Sequence, residues 1–277
     1  MNNQKILRFA ALIIIVLVVL SGCQGLGGMP KVSPGDFNHT LTEGIFHHGE
    51  LPVYFWAPSR PVSDTLRIYI EGDGRAWLRS GRPSLDPTPV NRLVHQLMLQ
   101  DPTPDLAYLA QPCQYVSNDS CNNQVWTFQR YSQRLVETMD KAVSSLKEKG
   151  DYQYVEFVGY SGGGTIALLL AAQRSDVAAV RTVAGNLSPR FFNHYHGVSA
   201  MPAALNPVAF KRQLSTTPQI HFVGSRDAVV PGVISQHYME FFTDASCIRI
   251  ETVPADHQTG WIERWSSLLD KKPLCDR

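Results

Sequence analysis

Ser161 lies within Gly159-Tyr160-Ser161-Gly162-Gly163, the spacing G-x-S-x-G. A hydroxyl is a weak nucleophile until a base takes its proton and a third group orients that base. The context favours such a role. A β-rich run, Tyr154 to Val158, leads into the motif, and an apolar helical run, Thr165 to Ala172, leads out of it. The serine is therefore expected on a sharp strand–turn–helix junction. Glycines at 159 and 163 remove side chains that would strike neighbouring backbone, and a helix N-terminus favours developing negative charge. The plainer alternative is a glycine-rich helix start. Gly159 to Gly164 has neither a phosphate-loop lysine nor a dinucleotide G-x-G-x-x-G.

The base and its orienting acid are sought after later strands, where a parallel sheet gathers its site. Gly224-Ser225-Arg226-Asp227-Ala228-Val229-Val230-Pro231 follows the β-rich run Gln219 to Val223, and Asp256-His257 follows Ile248 to Val253. Asp227 and His257 are the preferred pair. Asp176 and Asp244 fall in or just after expected helices, and Asp256 would have to fold back on its neighbour. His221 lies inside a strand, while His194, His196 and His237 all precede the last strand. The chain order Ser161, Asp227, His257 resembles that of the α/β-hydrolase fold superfamily, and G-x-x-D-x-x-V-P around Asp227 is similar to its acid-bearing loop. The resemblance covers roughly Asp64 to Leu269.

That resemblance implies a serine hydrolase working through an acyl-enzyme, without cofactor or metal, on a small-molecule or lipid-like acyl substrate. A carboxylic ester is the leading substrate. A serine peptidase or acyltransferase is the alternative, as is a non-catalytic envelope binding or assembly protein on the same fold. The family geometry makes the Gly162 amide one oxyanion donor. The other is expected from Glu71-Gly72-Asp73-Gly74, with the Asp73 amide preferred and Gly74 in reserve. Glu71 and Asp73 depart from the usual sequence there. A carboxylate facing an oxyanion would oppose it, so the Asp73 side chain is expected to point away, toward Arg75. Trp77, Phe191 and Phe192 could line an acyl pocket or serve as core packing.

The elements that must carry these residues alternate. Strands are expected at Thr65–Ile70, Leu106–Ala110, Tyr154–Val158, Val180–Ala184, Gln219–Val223 and Ile248–Val253. Helices are expected at Val90–Leu99, Thr127–Lys149, Thr165–Gln173 and Trp261–Leu269, the second with Leu135, Met139, Val143 and Leu146 on one face. Such alternation reads as an α/β fold, a mostly parallel central sheet covered by helices on both faces. Residues 186–214, rich in proline and aromatics without clear period, read as a small cap or insertion between the Val180–Ala184 and Gln219–Val223 strands.

The chain has 277 residues, 44% hydrophobic and 18% charged, with a net charge of +1 and five cysteines. No basic surplus is available for nucleic acid. Lys5 and Arg8 precede an unbroken apolar run, Phe9 to Leu20, too short to span a hydrocarbon core. Leu20-Ser21-Gly22-Cys23 resembles a bacterial lipobox. It implies a signal peptide over 1–22, a lipidated Cys23 carrying acyl chains such as palmitate, a flexible tether over 23–36 and a hydrolase domain over 37–277. Gln24 after the cysteine implies the outer membrane, facing the periplasm. Signal removal would take two basic residues and no acidic one, turning the charge slightly negative. It would also leave four cysteines for an oxidising compartment. Three connectivities are possible, with Cys113–Cys121 and Cys247–Cys275 favoured by proximity.

Overall fold

In the structure, a computed structural model, residues 29–38, 40–48 and 50–275 are described. The expected signal segment 1–22, Cys23 and the first residues of the expected tether lie outside them. The chain divides into Met1–Lys31 and Val32–Arg277, and the elements named below all belong to the second unit. Of the stretch 23–36 expected as a tether, Val32 is buried and Pro34–Asp36 forms a 3-10 turn closed by Ser33–Asp36 hydrogen bonds, so residues 32–36 belong to the folded unit.

Eight strands form one sheet among the described residues. They are β1 (Leu41–His48), β2 (Leu51–Pro58), β3 (Thr65–Ile70), β4 (Leu106–Leu109), β5 (Tyr154–Tyr160), β6 (Val177–Val183), β7 (Gln219–Gly224) and β8 (Ile248–Val253). Their order is β1-β2-β4-β3-β5-β6-β7-β8; β1, β2 and β4 pair antiparallel and every other neighbour is parallel. The expected α/β architecture is present. The sheet also gains two strands that the sequence reading did not include. The β1–β2 hairpin precedes Asp64, so the hydrolase-like fold begins earlier than the resemblance indicated. Gly44 in β1 lets the Phe55 ring of β2 lie close over it, since a Cβ there would stand 2.7 Å from that ring.

The helices are α1 (Leu93–Leu99), α2 (Asn123–Trp126), α3 (Gln133–Lys149), α4 (Gly162–Gln173), α5 (Pro189–Tyr195), α6 (Lys211–Leu214), α7 (Gly232–Met239) and α8 (Trp265–Leu269). Leu135, Met139, Val143 and Leu146 of α3 are all buried, as their spacing predicts. Each such side chain contributes about 1.5–3 kcal/mol through burial. The helix starts later than expected because Tyr131 has φ 61°, which interrupts a right-handed helix. In α4 every residue from Gly162 to Ala171 is buried, which suits a helix packed on several sides. The expected terminal helix is a 3-10 turn, Ile262–Arg264, followed by α8. The 186–214 stretch folds as α5, a 3-10 turn at Pro207–Phe210 and α6.

Both favoured cysteine pairs are bonded, Cys113 to Cys121 and Cys247 to Cys275. No helix among the described residues is long and apolar enough to cross a membrane.

Candidate active site

The turn between β5 and α4 carries Ser161 at φ 51° and ψ −119°, a conformation costly for a residue with a side chain. The surrounding backbone holds it there. The Ser161 N–H donates to Val183 C=O, and its carbonyl accepts from Gly164 and Asn186, each at 3.0 Å. Glycine is required on both sides of this turn. A Cβ at Gly159 would stand 2.4 Å from the Gly163 carbonyl oxygen, and one at Gly163 would stand 2.4 Å from that of Ile70.

From this turn Ser161 Oγ lies 3.1 Å from His257 Nε2, and His257 Nδ1 lies 2.8 Å from Asp227 Oδ2. A neutral imidazole that donates from Nδ1 to the carboxylate has Nε2 free to accept the serine proton. The other oxygen of Asp227 accepts the amides of Val229 and Val230, both at 2.8 Å, which fixes the carboxylate's orientation. Tyr160 clamps the histidine loop by donating its hydroxyl to the His257 carbonyl at 3.0 Å. The rival residues are engaged elsewhere. Asp256 accepts the Gln258 and Thr259 amides of its own loop, Asp176 pairs with Arg174 and Lys147, and Asp244 accepts from Ser246. His221 is buried between Thr182 and Gln219, and burial lowers its pKa to about 3.

On the opposite flank runs the turn Glu71–Gly74 after β3. The Asp73 carboxylate does not reach toward Arg75, contrary to the sequence expectation. It lies over the start of α4, where a Cβ on Gly162 would stand 2.0 Å from Asp73 Oδ1. There it receives hydrogen bonds from Arg130 Nη1 at 2.8 Å, the Tyr131 hydroxyl at 2.7 Å and Gln111 Nε2 at 3.2 Å. Burial works against the Arg130 charge, but Asp73 more than offsets it and holds the guanidinium above its ordinary pKa. Burial, reinforced by Asp73, pushes the Tyr131 hydroxyl well up. The sequence reading missed Arg130, Tyr131 and Gln111. Their one available signal was negative: the apolar face of the following helix starts only at Leu135, so the residues before it had no register with that face.

Glu71 is also buried and faces inward. It accepts from the Tyr108 hydroxyl at 2.8 Å and from the Gly72 amide at 3.0 Å, and burial raises its pKa to about 7. The Gly72 amide is thereby occupied. Among the described residues no acceptor engages the amides of Asp73 and Gly162, the pair expected to face an oxyanion. Gln111 and Gln114, beside the Cys113–Cys121 bridge, donate to the Glu71 and Gly72 carbonyls and hold this turn in place.

Ser161 and His257 open onto a cavity of about 760 Å³ whose wall includes Trp77, Phe128, Phe192, Met201, Val229 and Val230. The 186–214 insertion therefore supplies pocket wall. Phe191 does not line the cavity. Successive helical residues point about 100° apart, and Phe191 turns toward α7, where it stacks on His237 at 3.9 Å.

The model of the family described as serine hydrolase (FSH1) matches residues 95–259, a span that contains Ser161, Asp227 and His257. The chain belongs to this serine hydrolase family. No curated protein matches it. Among solved structures, this serine hydrolase is similar to the Pyrococcus furiosus esterase Pf2001. The TM-score is 0.62 at 13% identity, covering 90% of this chain and 97% of that one. It is similar to a putative dienelactone hydrolase from Klebsiella pneumoniae, with TM-score 0.56 at 18% identity, covering 82% and 94%. Est1E from Butyrivibrio proteoclasticus aligns with TM-score 0.57 at 13% identity, covering 82% and 95%. At these identities the structural likeness speaks to the fold.

Proposed function

We propose that this serine hydrolase cleaves carboxylic esters with Ser161 as nucleophile, His257 as general acid–base and Asp227 as the acid that orients the imidazole. The observation that carries the reading is the continuous Ser161–His257–Asp227 hydrogen-bond chain at an apolar cavity. Ser161 Oγ attacks the ester carbonyl carbon as its proton passes to His257 Nε2. The negative charge on the carbonyl oxygen is received by the Gly162 and Asp73 amides. When the intermediate collapses, the C–O bond to the alcohol breaks and His257 returns the proton to the leaving oxygen. Water, deprotonated by the same imidazole, then attacks the acyl-enzyme and releases the acid and Ser161. Asp227 does not take a proton; its charge stabilises the imidazolium that forms twice per cycle.

The apolar wall formed by Trp77, Phe192 and Met201 supports an acyl group as the part of the substrate held in the cavity. The reading extends to a protein lipidated on Cys23 and held at the outer membrane, facing the periplasm. The lipobox-like sequence and two disulfides suited to an oxidising compartment support it.

A series of chromogenic esters of graded acyl length tests the activity. Turnover by the wild type and none by Ser161→Ala is expected; equal turnover by both would overturn the assignment. Cys23→Ala should move the protein from the membrane to the soluble fraction, and unchanged membrane association would contradict lipidation.

A further inference from the structure

Beside the cavity the chain forms a small tongue that no catalytic role absorbs. Leu78 N–H donates to Arg82 C=O at 2.8 Å, Gly81 N–H to Leu78 C=O at 2.9 Å, and Ser84 N–H to Ala76 C=O at 2.9 Å. An isolated bridge pairs Trp77 with Pro83, and Gly81 takes the φ of 74° that the tight end requires. The base is firmly seated. Ala76 and Ser84 are buried, Trp126 Nε1 donates to the Ser84 carbonyl at 3.2 Å, and the Trp77 ring packs edge-on against Phe128.

The exposed side chains on and just after the tongue are different. Leu78 is partly exposed, Leu85, directly after the base, is 94% exposed and Val90 is 74% exposed, while Trp77, Gly81 and Val90 border the catalytic cavity. Burying such side chains would be favourable, and no other described part of the chain covers them. Interleaved with them are Arg75, Arg79 and Arg82, all exposed and with no carboxylate in salt-bridge contact among the described residues. Against these three cations the 75–90 segment has a single acid, Asp86, which feels the charge of Arg75 and accepts the Thr88 amide. Exposed apolar side chains at 78, 85 and 90, interleaved in sequence with the arginines at 75, 79 and 82, complement a surface that is apolar inside and negatively charged at its boundary.

We propose that the 76–90 tongue docks on an anionic lipid surface and sets the cavity mouth against it, so that the acyl substrate enters from the lipid phase. Leu78 and Leu85 enter the acyl boundary, and Arg79 and Arg82 meet headgroup phosphates. The docking stands on the tongue itself; the entry of substrate rests on the ester-hydrolase reading above.

Vesicle flotation of the full chain carrying Cys23→Ala, so that the proposed lipid anchor does not hold it to every vesicle, tests it. The wild-type tongue and all variants below share that background, and pure phosphatidylcholine is compared with vesicles containing about 30% phosphatidylglycerol at low salt and at about 0.5 M salt. The wild type is expected to prefer the anionic vesicles, and the preference to shrink in salt. R79Q/R82Q should lose roughly tenfold of that preference, and L78S/L85S should bind both vesicle types more weakly. Neither pair lines the cavity, so turnover of a soluble short-chain ester should stay at the wild-type level and reports intact folding. Wild-type partitioning by both double variants would overturn the docking surface. Loss of soluble-ester turnover in the wild type would instead overturn the hydrolase reading, while flotation would still decide the docking.

Discussion

Two aspartates flank Ser161, each carried just past the end of a parallel strand, and they are held in opposite ways. Among the described residues Asp227, after β7, meets no cationic side chain within ion-pair distance except the His257 imidazole; its second oxygen is fixed by the amides of Val229 and Val230. Asp73, after β3, spends both oxygens on Arg130, Tyr131 and Gln111. On the proposed mechanism the first carboxylate's charge serves an imidazolium, while the second, beside the proposed oxyanion site, has its charge compensated where it stands. The two carboxylates are told apart by their partners.

Substitutions can break that contrast. The largest effect is expected on the Asp227 side. His257→Ala, or Asp227→Asn, which presents an amide N–H where His257 Nδ1 must donate, should each lower kcat by about 10⁴-fold with the fold intact. Steady-state ester kinetics with circular dichroism as the folding control would read this. On the other side, Glu71 gives a stability signature. Burial raises its pKa from 4.5 to about 7, so the folded chain keeps a proton that the unfolded chain releases between those values. Its stabilising contribution is complete below pH 4.5 and fades as pH rises through 7, on the order of 3 kcal/mol in all. Denaturant unfolding at stepped pH should show that slope in the wild type and a flatter one in Glu71→Gln.

Two variants act at Asp73 itself. Arg130→Met leaves an uncompensated carboxylate against the developing oxyanion and should cost about 10²-fold in kcat/KM. Asp73→Asn keeps the backbone amide and removes the charge. It should lower the melting temperature by leaving Arg130 without its carboxylate, yet keep kcat within about tenfold of wild type. A fall as deep as that of Asp227→Asn would show that Asp73 takes part in the chemistry.

The Asp227 flank was legible in the sequence because each part is local. Ser161 sits in a five-residue motif between a strand and a helix, and Asp227 and His257 each follow an apolar β run by a few residues. The Asp73 flank is assembled across long separations. Gln111, Arg130 and Tyr131 come from 38 to 58 positions away, and Tyr131 interrupts what periodicity read as continuous helix. The β1–β2 hairpin escaped for another reason. Pro52 and Pro58 punctuate β2 and Gly44 sits in β1, residues disfavoured in strand interiors and here accommodated by the sheet's antiparallel edge. Phe191 and Phe192 show the limit at single-residue scale: one helical step separates pocket wall from a stack on His237.

Activation of Ser161 by His257 and Asp227 can be read on the serine itself with a fluorophosphonate probe. Intact mass and peptide mapping should find one adduct, on Ser161, absent in Ser161→Ala and formed far more slowly in His257→Ala. A folded wild type that takes no probe, or takes it on another residue, would overturn Ser161 as the nucleophile.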